Sequence, residues 1–222
     1  MRLRRNQAGF TAVEVLVAVT TTTIVVIVIA NFMMHSVRTS TLETAKADML
    51  HEVQLTLDAV AMDVRMSGNA DQNNRNPDAN SPVPSNQFGW ASNSSTLVLA
   101  RAATTTGGSI IFSDPANYVT TKNNVVYFVS GGTLYKRIIA ASASGNSAKT
   151  SCPADKATAS CPADRVLLHN VSEFQVTYVD GDDHSVSPTN ARSVEIKLTA
   201  SRTKVKQAQQ VSHTTRMVFR ND

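Results

Sequence analysis

The stretch that decides the fold is Phe10–Met34, FTAVEVLVAVTTTTIVVIVIANFMM. Between Arg5 and Arg38 its only formally charged side chain is Glu14. As a helix these residues span about 37 Å, enough to cross a hydrocarbon core of about 30 Å. Arg2, Arg4 and Arg5 precede the run, and this basic cluster predicts a cytoplasmic N-terminus with everything after the run exported. The run is too long for the apolar core of a signal peptide, and no small-residue cleavage site follows it. A plain signal anchor would account for the length and the flanks but not for Glu14. A carboxylate inside a spanning helix costs about 2.5–3.5 kcal/mol on insertion scales, so it normally has a job.

The residues around that acid suggest one. Gly9-Phe10-Thr11-Ala12-Val13-Glu14 resembles the prepilin cleavage motif of type IV pilins and type II secretion pseudopilins. There a short basic leader ends in Gly, Phe usually follows, and Glu lies five positions into the mature chain. Ala12-Val13 stands where Leu-Ile is commoner, an apolar-for-apolar change. The resemblance implies that a prepilin peptidase cuts after Gly9 and methylates the new amine of Phe10. The chemistry of the residues agrees. Cleavage would leave an ammonium on Phe10, and Glu14, four residues on, shares its helix face. Each charge is costly alone in an apolar setting, and the pair is much less so. The same carboxylate can instead reach the amine of a neighbouring subunit, as a register device for a helical assembly.

Downstream, residues 10–67 contain neither Gly nor Pro, which allows a helix of about 87 Å. Leu42, Ala45, Met49, Val53, Leu57, Val60 and Val64 recur at spacings of three and four, with acids between them. This predicts a core face docked on a sheet supplied by the C-terminal half. Ser67-Gly68-Asn69 reads as the helix end. Seven Asn between Asn69 and Asn93, with Pro77, Pro82 and Pro84, predict a long polar surface loop. Strand patterns follow at 96–101, 109–112, 125–129, 133–139, 165–168, 173–180, 193–199 and 211–219. Gly131-Gly132 marks a hairpin. No βαβ alternation occurs, so the expected class is α+β, with one long N-terminal helix packed on an antiparallel β-sheet domain. The expected segments are a leader at 1–9, a transmembrane and assembly helix at 10–34, an amphipathic helix half at 35–68 and a globular β-rich domain at 69–222.

Further segments resemble the PilW-type minor pilins and the J-type pseudopilins. Met62-Asp63-Val64-Arg65-Met66-Ser67-Gly68 is similar to their Asp-Leu/Ile-Arg-x-Ala-Gly helix end, with Ser67 in place of Ala. Val171–Asp180 resembles their penultimate hairpin, and Thr214–Asn221 their terminal strand. The resemblance implies a minor pilin that joins a type IV pilus at or near its tip and helps initiate assembly. The partners it implies are other minor pilins and the major pilin, the prepilin peptidase, the assembly platform, a tip adhesin and the inner membrane. The mature protein would stand in that membrane with its C-terminal domain in the periplasm, and then in the extracellular pilus. A J-type pseudopilin shares these motifs. A membrane-anchored periplasmic enzyme or binding protein is the reading from another class.

Composition narrows the chemistry. A chain of 222 residues suits one medium domain with an extra element and is too short for a multidomain enzyme. Charged residues are only 17%, with Ser, Thr and Asn in their place, as on an extracytoplasmic surface. The net charge of +4 includes +3 from the first nine residues, so it argues little for nucleic acid. The basic C-terminal stretch (Arg192, Lys197, Arg202, Lys204, Lys206, Arg216, Arg220) has only Phe219 as an interleaved aromatic, and solvated strand edges are the simpler reading. Cys152-Pro-Ala-Asp155 and Cys161-Pro-Ala-Asp164 form a short repeat. Export puts both thiols in an oxidising compartment, where a disulfide is the default, with a two-Cys, two-Asp metal site as the alternative. Asp180-Gly181-Asp182-Asp183-His184 has carboxylates enough for calcium but lacks EF-hand spacing, and a hairpin turn is the expectation. No hydrolase, zinc-protease or nucleotide-binding motif occurs, so neither catalytic residues nor a cofactor are expected.

Overall fold

The computed structural model describes residues 11–204 and 207–220. The chain divides into two compact units, 1–45 and 46–222. In the first, helix α1 (Ala12–Arg65) begins, and every residue from 11 to 41 is exposed. From 13 to 34 its side chains are mostly apolar, including Val13, Leu16, Val17, Ile24–Ile29 and Phe32–Met34. No charged face opposes them, so this part of the helix is apolar all round.

In the second unit the remainder of α1 buries Met49, Val53, Leu57, Val60, Ala61 and Val64. The three- and four-residue spacing puts these on one stripe, and the stripe docks on sheet, as its periodicity predicts. Ten strands follow: β1 (Ser67–Ala70), β2 (Thr96–Ala102), β3 (Phe112–Asp114), β4 (Val119–Thr120), β5 (Lys122–Ser130), β6 (Thr133–Ile139), β7 (Arg165–His169), β8 (Val171–Val179), β9 (Ser193–Lys204) and β10 (Gln207–Val218). They form a five-stranded sheet in the order β1-β2-β5-β6-β7, a three-stranded sheet β10-β9-β8 and a small β3-β4 ribbon. Every strand pair is antiparallel. The class is α+β.

Pleating explains the core. Leu97, Leu99, Val125, Tyr127, Leu134 and Leu168 point to one face and pack with the helix stripe. Val98, Val126 and Ile139 point to the other, where they form a second cluster with Trp90 and Phe128. The three-stranded sheet adds Phe174, Val176 and Tyr178 from β8 and Val194, Ile196 and Leu198 from β9 to the main core, in the alternation read from the sequence. The β5–β6 turn is the Gly131-Gly132 pair itself, closed by Ser130 opposite Thr133, with φ of 55° and 70°. Both central residues are left-handed, as a tight hairpin following the strand twist requires.

Three expectations need correction and a fourth is met only in part. The helix ends at Arg65, and Ser67–Ala70 is strand β1 on the sheet edge, where Gly68 sits in an irregular step between paired residues. The 69–95 segment is the expected irregular loop, exposed throughout 82–88, but it is anchored at points that the sequence did not suggest. It buries Asp71, Asn74, Asp78, Trp90 and Ser92, and Trp90 joins the cluster on the second sheet face. The Asn74 and Asp78 side chains bond backbone within the fold, which is why these polar residues can be buried. The 109–112 strand starts later, at Phe112. The Asp180–His184 turn does not lead directly into the next strand: β8 ends at Val179 and β9 starts at Ser193, with a one-turn helix at Pro188–Asn190 between them. Pro188 pre-sets its first φ.

Candidate functional site

Gly9 and Phe10, expected to carry processing, lie outside the described residues, as do Arg2, Arg4 and Arg5. Glu14 stands in the first turn of α1, exposed. Thr11 precedes the helix, and its hydroxyl accepts the Glu14 backbone N–H at 3.3 Å. Thr11-Ala12-Val13-Glu14 therefore has the capping-box spacing, and the acid lies where the helix dipole favours negative charge. The Thr-x-x-Glu spacing ahead of an apolar run is the sequence signature of such a start. Glu14 thus has a local role in starting the helix whatever else it pairs with.

The four threonines inside the apolar run are also satisfied locally. Thr20, Thr21, Thr22 and Thr23 each donate to the carbonyl four residues back, at 3.0, 2.8, 2.7 and 2.8 Å. No hydroxyl of the four needs water, so the segment can enter an apolar medium without orphaned donors. α1 is long and apolar enough to cross a membrane, by length and composition.

Among its described residues the second unit carries three ionic clusters built on buried carboxylates, which the sequence did not reveal. Arg137 is 2% exposed and lies between two carboxylates. Its guanidinium donates to Asp78 at 3.0 Å and to Asp164 at 2.5 Å, and it also donates to the Asn80 carbonyl at 2.7 Å. Asp78 also takes the Trp90 indole N–H at 2.7 Å, and Asp164 takes the Ser151 hydroxyl at 2.7 Å. The guanidinium stacks over Trp90 and Phe128 at 5.1 and 5.6 Å. In the second cluster Asp63 accepts the Tyr127 hydroxyl and pairs with Lys136 and Arg101. Burial, then the nearby Asp63 charge, push the Tyr127 hydroxyl far above its ordinary range. In the third, Arg75 forks onto Asp71, and Asn124 donates to the same acid at 2.9 Å. Among the described residues no buried side-chain polar atom lacks a partner. Such completeness marks structural clusters as much as functional ones.

Asp63 is the acid of the helix-end motif, so the pairing gives that motif a physical reason: it ties the helix end to β2, β5 and β6. Ser67, the departure from the usual Ala, donates its hydroxyl to the Asp63 carbonyl at 2.8 Å. Cys152 and Cys161 form a disulfide, with Cα atoms 5.6 Å apart. The Asp180 carboxylate accepts the His184 and Asp182 backbone N–H groups, which hold it below the ordinary carboxylate range. Asp183 pairs with Arg216. Among the described residues no group of three His, Cys, Asp or Glu is placed to hold a metal ion. The C-terminal cations are partly spoken for as well: Lys197 pairs with Glu173 at 2.9 Å and Arg202 with Glu52 at 3.1 Å.

No family model matches the chain. No curated protein matches it. Among solved structures it is similar to a type IV-like pilin from Thermus thermophilus, at 10% identity and a TM-score of 0.42, over 77% of this chain and 95% of that one.

Proposed function

We propose that this chain is a minor pilin: a non-enzymatic subunit of the PilW type that is cut after Gly9, methylated at Phe10 and built into a type IV pilus at or near its tip. The observation that carries the reading is the start of α1. A helix whose residues 13–34 are mostly apolar on every side and all exposed cannot keep that stretch in water. It calls for lipid or for the like helices of other subunits, and a subunit that moves from one to the other uses both. The Gly9-Phe10 motif and an acid at position 14 stand at the head of that helix. The internally bonded threonines suit it to either medium.

In the proposed site Gly9 and Phe10 serve processing and Glu14 serves assembly. The proposed topology is a single pass of the inner membrane with residues 46–222 in the periplasm. Before assembly the apolar run holds the subunit in the membrane. After it, the same run is covered by neighbouring pilins.

Mass spectrometry of the mature N-terminus is the test. A chain beginning with N-methylated Phe10, recovered from sheared pili with other pilins, is the expected result. A membrane protein that keeps Arg2, Arg4 and Arg5 and is absent from pili overturns the reading. Mature protein found with a secretion apparatus instead of pili would assign it to the pseudopilins.

A further inference from the structure

Between the β5–β6 end of the five-stranded sheet and the disulfide loop lies an open cleft of about 350 Å³, lined by Phe128, Ser130, Tyr135, Arg137, Pro153–Asp155 and Asp164. Its floor is aromatic. Tyr135 stacks on Phe128 with centroids 5.6 Å apart and planes 21° from parallel, and both rings are half-exposed. Phe128 in turn packs against Trp90 at 4.6 Å. A second cleft of about 410 Å³, which shares Phe128 and Ser130 with the first, adjoins it.

The charge lining this floor is negative, although Lys156, next to Asp155 and outside the lining, offsets part of it. Arg137 is held by two carboxylates, Asp78 and Asp164, so the buried group carries a net −1. Asp155 adds a second negative charge on the wall, exposed, with no ionic or hydrogen-bonded partner among the described residues. The wall is fixed in place. The Cys152–Cys161 bond closes its base, and the Lys156 N–H is bonded to the Pro153 carbonyl at 2.9 Å. Lys136, next to Arg137 in β6, alternates to the opposite face and is engaged by Asp63. Half-exposed aromatic rings beside a surplus of carboxylate charge attract organic cations, through the ring quadrupole and the ion pair together.

Phe128 already carries the Arg137 guanidinium and the Trp90 ring, which leaves Tyr135 as the ring that can receive a ligand. We propose that this cleft binds an organic cation, an alkylammonium or guanidinium group, set on Tyr135 and facing Asp155. The inference goes beyond the pilin reading and does not depend on it, since every residue involved belongs to residues 46–222. The cation can be a small free amine or a lysine or arginine side chain presented by another protein.

The test uses the full-length protein in detergent micelles with its disulfide intact. Trp90, the single tryptophan, lies beside Phe128 and serves as the fluorescent reporter. The probes are tetramethylammonium, Nα-acetyl-lysine amide and Nα-acetyl-arginine amide, with Nα-acetyl-norleucine amide as the uncharged control. Saturable binding of at least one cation, confirmed by calorimetry, is expected, with none of the control. Tyr135→Ala should weaken it about tenfold, by loss of the ring face. Asp155→Asn should weaken it several-fold and flatten its salt dependence. Both side chains lie at the surface of the cleft, and circular dichroism of each variant checks that the fold is kept. Preference for tetramethylammonium assigns the site to free amines, and preference for either amino-acid amide assigns it to a protein side chain. Absence of saturable binding, equal binding of norleucine amide, or wild-type affinity in both variants overturns the proposal.

Discussion

Arg137 shows how much one side chain can decide in a small sheet domain. It holds Asp78 from the 71–93 segment and Asp164 from the disulfide loop, two pieces that share no strand with each other. Replacing it by Met removes the only cation from that buried group and leaves two carboxylates facing one another. Such a broken buried pair costs about 3–5 kcal/mol, read as a lowered urea midpoint. The double variant Arg137→Met with Asp164→Asn should recover part of that loss, because one of the stranded charges is gone. A single variant no less stable than the wild type would show that the cluster is incidental. Two tyrosines set the alkaline limit. Burial, the Asp63 charge and the bond to Asp63 keep Tyr127 protonated well beyond its ordinary range, and burial pushes Tyr178 up to about 12. In the unfolded chain both ionise near pH 10. The folded state therefore holds protons that the unfolded one releases, so stability is full below about pH 10 and falls as pH rises above it. Urea midpoints across that range should show the fall, and Tyr127→Phe should make it shallower while lowering stability at neutral pH.

At the scale of elements, the 140–164 segment has little regular structure, yet it walls the cleft and anchors Arg137. The Cys152–Cys161 bond closes a short loop, and on the chain-entropy model such a closure contributes about 2.5 kcal/mol. Changing both cysteines to Ser should lower the unfolding midpoint by an equivalent amount and expose the segment to protease first. Identical protease patterns with and without the bond would show that hydrogen bonds alone hold the loop. How far each element was legible depended on where its hydrophobic partners lie. Met49, Val53, Leu57 and Val60 announce their own stripe, and Gly131-Gly132 its own turn, because both patterns are local. The 69–95 segment read as solvated because Asn, Asp and Pro dominate it. What anchors its few buried residues is a set of bonds to distant residues, such as the Arg75 backbone N–H to Asn124 at 2.7 Å, that no local pattern encodes.

For the whole molecule, the proposed passage from membrane to pilus turns on Glu14. Replacing it by Ala removes an insertion cost, so membrane abundance should be at least normal. The Thr11 cap keeps its hydroxyl and the Glu14 backbone N–H in this variant, so the helix start survives apart from the acid's favourable placement on the dipole. Inside an assembly a neighbouring or own ammonium would lose its carboxylate, at about 3–5 kcal/mol for a broken buried pair. The expected phenotype is split: normal processing and protein level, with less of the subunit in sheared pili and fewer pili on the surface. Because a tip subunit has no neighbour beyond it, the loss need not be complete. Wild-type piliation with Glu14→Ala would show that the acid only starts the helix. The division between sequence and structure follows the range of the forces. The amino-acid order by itself determined the long helix, its apolar length, the acid at its head and the alternating strands, since each rests on neighbours within a turn or a pleat. Only the tertiary structure decided that the first sheet is covered on both faces, that Asp63, Asp78 and Asp164 lie buried beside cations, and that Tyr135 and Asp155 share a cleft. Those outcomes depend on contacts between residues tens of positions apart, where desolvation is tolerable only if the matching partner arrives as well.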